Sequence, residues 1–182
     1  IFSGGRVSSA YTADVSADGL REAAGMAASL LPRCDPDDAN QLPEADSSSS
    51  AEPEIFDPLL VRMEAQDKIR AARRMEESAR AFDPRVARVR QSRYTDVAGR
   101  VGVASTSGLR RSWPFTRAYG AIELTAEQGT EKQSGWFSDF SIRQGGLDTA
   151  QVGREAARRA VAKLGAERTG TQRASLVLDP LV

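Results

Sequence analysis

Between Val86 and Ile142 the sequence leaves helical spacing and becomes a run of strand-formers broken by glycine turns. That single change of period most constrains the fold. Before it, Met63 to Phe82 carries Ile69, Ala72, Met75, Ala79 and Phe82 three or four residues apart, which predicts one apolar helical face. Arg70, Arg73, Arg74, Glu76 and Glu77 fill the other faces, and Asp83-Pro84 stops the helix. After it, Asp148 predicts the cap of a helix running to about Leu164. Val152, Ala156, Ala160 and Leu164 repeat every four residues there, and Gly165 suits the C′ position. Two helices flanking a block of strands predict an α+β fold rather than a regular βαβ alternation.

Within the block the sequence predicts an antiparallel meander of about four strands packed with two or three helices. Val86 to Arg90 and Tyr94 to Val97 read as strand. Ala98-Gly99-Arg100 reads as a tight turn and Val101 to Ser105 as its antiparallel mate. Thr106-Ser107-Gly108 is a second turn. Phe115 to Thr125 is a long strand, and Ala126 to Glu131, with Gly129, turns it into Lys132 to Phe140.

Upstream, Phe2 and Arg6 to Asp14 flank Ser3-Gly4-Gly5, a hairpin signal. Ser16 is a good N-cap for a helix with Leu20, Ala23, Ala24, Ala27, Leu30 and Leu31 on one face, ended by Pro32. Residues 1–31 are thus expected to be a remnant of a first α/β unit, a hairpin followed by a helix. Residues 32–54, acidic and serine-rich with Ser47 to Ser50 in a row, are expected to be a flexible linker. Residues 55–173 form the central α+β domain, docked by Ile55, Phe56, Leu59 and Leu60. Residues 174–182, opening on the strand-like Ala174 to Leu178, are expected to begin a further domain. Both ends read as cut from inside a larger fold.

The chemistry is bounded by what is missing. There is no histidine in 182 residues, and Cys34 is the only cysteine. Ser-His-Asp and Cys-His triads, histidine-ligated zinc and histidine bases are excluded within this stretch. No internal disulfide can form, which fits a reducing cytoplasm. Lys+Arg and Asp+Glu are both 25, so the chain lacks the basic excess of a general nucleic-acid binder. No apolar run reaches the length of a membrane span. The glycines fall outside phosphate-loop and dinucleotide spacing and read as turn residues. Asp35, Asp37 and Asp38 read as a surface acidic loop. No catalytic, cofactor-binding or metal-ligating residue is assigned.

Two features carry a sharper reading. Phe115, Tyr119, Trp136, Phe137 and Phe140 fall on two strands expected to pair. They are either cross-strand core packing or a place where an extended peptide adds to the sheet. Arg85, Arg88, Arg90 and Arg93 make a stripe two to three residues apart, either a solvated face or the contact of a stand-alone protein- or nucleic-acid-binding module.

The order of short segments resembles the TldD/PmbA family, often labelled modulators of DNA gyrase and understood as cytoplasmic peptidases. The segments are Ile1-Phe2-Ser3-Gly4-Gly5-Arg6 with Thr12-Ala13-Asp14, Ile55-Phe56-Asp57-Pro58, Phe82-Asp83-Pro84-Arg85-Val86, Tyr94-Thr95-Asp96 and Ala104 to Gly108. Gln133-Ser134-Gly135-Trp136, Val152 to Ala157 and Val177-Leu178-Asp179-Pro180 follow. The likeness is closer to the PmbA (TldE) branch than to TldD. It implies a two-part protein whose later part, from near Asp179, carries a His-Glu-x-x-x-His zinc helix in the TldD branch only. Zinc is then expected downstream or on a TldD-like partner. The resemblance implies a dimer, with that partner or with itself, that handles unfolded peptides or peptide precursors. It implies no direct nucleic-acid contact.

Overall fold

The computed structural model describes residues 1–42, 53–168 and 170–178. It is α+β, with two compact units. One comprises residues 1–52 with 101–113 and the other residues 53–100 with 114–182.

The first unit opens with a two-stranded hairpin, β1 (Phe2–Ser3) and β2 (Arg6–Val7), turned by Gly4 and Gly5 at φ 56° and 71°. Helix α1 (Ala17–Leu30) follows, capped by the Ser16 hydroxyl accepting from the Gly19 N–H. Ser8 is buried and donates its hydroxyl to the Ala27 carbonyl at 2.6 Å, which fastens the hairpin to the helix. Pro32 does not end the helix abruptly. It sits inside a 3₁₀ turn, Leu31–Arg33, where its missing N–H costs nothing. The acidic and serine-rich run from Pro43 to Glu52 lies outside the described residues, as do residues 179–182.

The second unit holds the main core. A four-residue helix α2 (Pro58–Val61) leads to α3 (Ala65–Phe82), and α4 (Thr149–Val161) follows the sheet. The sheet has three strands in the order β3 (Val86–Ala104), β4 (Arg110–Gln128), β5 (Glu131–Ser141). Three long strands thus replace the expected meander of about four. The Ala98-Gly99-Arg100 turn does not exist, and β3 runs straight through it. Gly99 has another purpose: a Cβ there would stand 2.8 Å from the Phe115 ring, so the missing side chain makes room for that ring. The turn at Thr106-Ser107-Gly108 is real, closed by the Ser105 N–H to the Leu109 carbonyl, with Gly108 at φ 98°.

The helical periodicity reads into packing along α4 and the middle of α3, while Ile69 and Phe82, at the two ends of the expected α3 face, are 44% and 41% exposed. Met75 and Ala79 of α3, Ile122, Leu124 and Ala126 of β4, and Val152, Ala156, Ala157 and Ala160 of α4 form one buried cluster with Val86. Small residues dominate α4, so it approaches closely. A Cβ on Gly135 of β5 would stand 2.1 Å from the Ala156 carbonyl oxygen. Thr116, 1% exposed, ties the ends of this unit together. Its hydroxyl donates to the Ile142 carbonyl and accepts the Asp57 N–H, both at 2.9 Å. Asp57 also caps α2 through the Leu59 N–H and takes the Gln144 N–H at 2.7 Å, and these two backbone donors, Gln144 first, hold its carboxyl below the usual range.

The expected strand at Ala174 to Leu178 is not formed. Leu176 and Val177 are 78% and 93% exposed, and no strand among the described residues pairs with them. A strand needs a ladder, and strand-forming composition alone does not supply one.

Candidate functional site: the open edge of the sheet

The register of β5 follows from its turn. Gln128 pairs with Glu131 across Gly129-Thr130, and Gly129 has φ 60° while Thr130 keeps a negative φ, the two-residue II′ pattern. The residues that close such a turn exchange hydrogen bonds, and the pattern then alternates along the ladder. Ala126–Gln133, Leu124–Gly135, Ile122–Phe137 and Gly120–Asp139 are therefore the hydrogen-bonded pairs. Thr125–Ser134, Glu123–Trp136, Ala121–Ser138 and Tyr119–Phe140 are the others. In those pairs the β4 residue turns its backbone toward β3 and the β5 residue turns its backbone away from the sheet. Three contacts agree. The Glu127 N–H reaches the Arg85 carbonyl at 2.8 Å on the β3 side. On the far side, Lys163 Nζ donates to the Ser134 carbonyl at 2.9 Å. There too the Asp139 carboxylate takes the Phe140 N–H at 2.8 Å.

Among the described residues β5 has β4 as its only sheet neighbour, so it is an edge strand. Its outer backbone is occupied at Ser134 and at Phe140. Between them, Trp136 and Ser138 present N–H and C=O groups outward.

The same alternation sorts the aromatic residues. Trp136 shares a face with Tyr119 and Phe140, and Trp136 and Phe140 are 53% and 59% exposed. Ala121, on the same face opposite Ser138, is buried. Phe137 points the other way, into the core opposite Ile122, with the Arg159 guanidinium 4.7 Å from its ring centroid. Phe115 is half-buried over Gly99. Of the five aromatic residues, then, the structure brings Tyr119, Trp136 and Phe140 onto one exposed face, gives Phe137 to the core and leaves Phe115 farther along β4 over Gly99. Ser138, Asp139 and Lys163, which the sequence did not single out, belong with the edge. The signal that could have found them is Gly129, since a two-residue turn fixes the register of everything beyond it.

A cleft of about 560 Å³ opens beside the edge, lined by Trp136, Ser134, Arg158, Arg159 and Lys163 among others. Glu155 organises its cationic wall. The carboxylate takes Arg158 Nε and Nη2, both at 2.7 Å, and Arg159 Nε at 2.8 Å. These bonds, Arg158 first, hold Glu155 down at about 2.

The arginine stripe is divided rather than continuous. Arg85 is held by Asp83 and Gln128, and Arg90 by Glu123 at 2.7 Å. Arg93 lines a separate cleft of about 430 Å³ with Arg117 and Tyr119. Two of the four guanidinium groups are thus tied to acids, which weakens the case for a nucleic-acid face.

Among the described residues no donor set suited to zinc comes together. The chain has no histidine, Cys34 is alone, and among the described residues no three acidic or thiol groups come together to hold a metal. No helix among the described residues is long and apolar enough to cross a membrane.

Residues 59–164 match the family model described as the PmbA/TldA metallopeptidase central domain, more than half of the chain. The chain belongs to the PmbA/TldD family. The matched region begins in α2 and runs through the turn after α4. Among solved structures, one from Bacteroides thetaiotaomicron described as a modulator of DNA gyrase aligns with a TM-score of 0.70 at 20% identity, over 91% of this chain and 38% of its own. A Thermotoga maritima protein described in the same words aligns at 0.64 and 18%, over 92% and 37%. TldE from Thermococcus kodakarensis aligns at 0.57 and 16%, over 87% and 35%. At these identities the likeness establishes the fold, and the chain spans less than two fifths of each of those chains. No curated protein sequence matches the chain.

Proposed function

We propose that this chain is the scaffold region of a PmbA/TldD-type peptidase of the PmbA (TldE) branch. Catalysis lies outside it, with zinc in a downstream domain or on a TldD-like partner subunit. The observation that carries the reading is the family match over residues 59–164 in a stretch with no histidine. The substrates are unfolded peptides or peptide precursors in the cytoplasm, bound main-chain first on the strands that carry Tyr119 and Trp136. The assembly is a dimer, with the TldD-like partner or with a second copy. The exposure of Trp136 and Phe140 on the outer face of the sheet supports a peptide-handling role. The test is co-expression of the full-length protein with a TldD-like partner. The assembly is expected to hydrolyse unfolded peptides in a chelator-sensitive way, and the 182-residue chain alone is expected to be inert. Chelator-sensitive hydrolysis by the isolated chain would overturn the placement of catalysis.

A further inference from the structure

The open part of the β5 edge is short and bounded by opposite charges. At one end Lys163 clamps the Ser134 carbonyl, and at the other Asp139 takes the Phe140 N–H. Only Trp136 and Ser138 between them turn free backbone groups outward, which is room for four main-chain hydrogen bonds to two residues of an added strand.

The charge is unevenly placed. At the Ser134 end Arg158 and Arg159 share the Glu155 carboxylate, and Lys163 donates to the neutral Ser134 carbonyl. Glu123 nearby is neutralised by Arg90, and Glu131 is engaged by the Gln133 side chain and the Gly165 N–H. The Lys163 ammonium therefore meets a carbonyl and no carboxylate among the described residues, which leaves a cation at the Ser134 end. At the other end Asp139 spends one oxygen on Phe140, and its second oxygen remains for a cation.

We infer that this edge seats an extended peptide antiparallel to β5, its basic or amino end at Asp139 and its acidic or carboxyl end at Lys163 and Arg158. The inference rests on the peptide-handling reading above and adds to it the strand, the register and the polarity. In this register the residues opposite Trp136 and Ser138 place their side chains on the outer face, where exposed Trp136 and Phe140 favour apolar partners. The residue opposite Asp139 projects to the same side as its carboxylate. A second copy of the chain fits less well. Edge-to-edge pairing needs a long ladder, and a lysine and an acid close this one at both ends.

The test uses the full 182-residue chain and two unlabelled pentapeptides of one composition, Lys-Val-Thr-Val-Glu and Glu-Val-Thr-Val-Lys, titrated by amide chemical shift. The first is expected to bind at least fivefold tighter. Amide exchange at Trp136 and Ser138 is expected to slow on binding, while exchange at Phe137, already inside the ladder, is unchanged. Ser138→Pro removes an outward N–H and leaves the β4–β5 ladder intact, so it is expected to weaken binding at least tenfold. The exchange measurement on the unaltered chain decides the matter even if that variant folds poorly. Binding of neither peptide, or exchange unchanged at Trp136 and Ser138, overturns the site, and equal binding of the two peptides overturns the polarity. If these fail while the assembled full-length proteins hydrolyse peptides, the site falls and the peptidase reading stands. Binding here with an inert assembly is the reverse result.

Discussion

A methyl group on Gly153 would stand 2.0 Å from the carbonyl oxygen of Met75, so α3 and α4 cross backbone against backbone. The same methyl would meet Ser78 Oγ at 2.2 Å. The first of these is a main-chain atom, which cannot rotate away, so the helices themselves would have to separate. Gly153→Ala gains up to ~1 kcal/mol in helix propensity yet is expected to lose more, with a net destabilisation of ~1–3 kcal/mol from overpacking. Gly25 in α1 is the counter-case, because nothing lies within 4 Å of its added Cβ. Gly25→Ala is expected to stabilise by ~0.5–1 kcal/mol. Urea denaturation of both variants checks the pair, and shifts of the same sign would contradict the close crossing.

Thr116 predicts a chemical distinction at constant volume. Its buried hydroxyl donates to Ile142 and accepts from Asp57, so Thr116→Val leaves a donor and an acceptor unsatisfied. The expected cost is ~1–3 kcal/mol, and Thr116→Ser, which keeps the hydroxyl, is expected to recover the hydrogen-bond part of it. Thermal unfolding of the two variants tells them apart. Equal melting temperatures would mean that the hydroxyl contributes nothing.

Gly99 and Phe115 predict a coupled pair. A Cβ on Gly99 meets the Phe115 ring at 2.8 and 2.9 Å, contacts a shorter side chain would remove. Gly99→Ala is expected to destabilise, and Phe115→Leu in the same chain to relieve part of that loss. The double-mutant cycle should give an interaction of ~0.5–3 kcal/mol, and additive single effects would deny the contact.

That pair also shows what the sequence could and could not convey. Ser16 and Asp148 were legible because a cap is a local device whose partner lies within three residues, whereas Gly165 was misplaced: α4 stops at Val161 with Ala162 as its C-cap, and Gly165 turns the chain beyond it at φ 77°. The core faces of α4 and of the middle of α3 were legible because helical period is local as well. Gly99 was not, since a glycine that opens a turn and one that makes room for a distant ring look alike. The run from Ala174 to Leu178 reads as strand by composition, but pairing is a long-range fact that composition does not hold. At the candidate site the aromatic residues were visible, yet which face each takes depends on the register set at Gly129. The open edge depends on that register and on Lys163, far along the chain.

Glu155 predicts an acid limb. Hydrogen bonds from Arg158 first, then Arg159, hold its folded-state value at about 2, below the 4.5 of the free side chain. A group depressed on folding stabilises fully above its unfolded value and loses that contribution as pH falls through the folded one. The stabilisation from Glu155 is therefore complete above about pH 4.5 and disappears toward pH 2. Glu155→Gln is expected to lower stability near neutrality and to flatten the stability curve in that window, converging with the unaltered chain near its lower end. Arg158 is more than half exposed, so the effect is expected to shrink in high salt. Asp83, held at about 2 chiefly by its hydrogen bond from Arg85, titrates over an overlapping range, so Glu155→Gln flattens the limb without abolishing it. Denaturant unfolding measured from pH 2 to 7 in low and high salt checks this, and an acid limb identical to that of the unaltered chain would rule out the linkage.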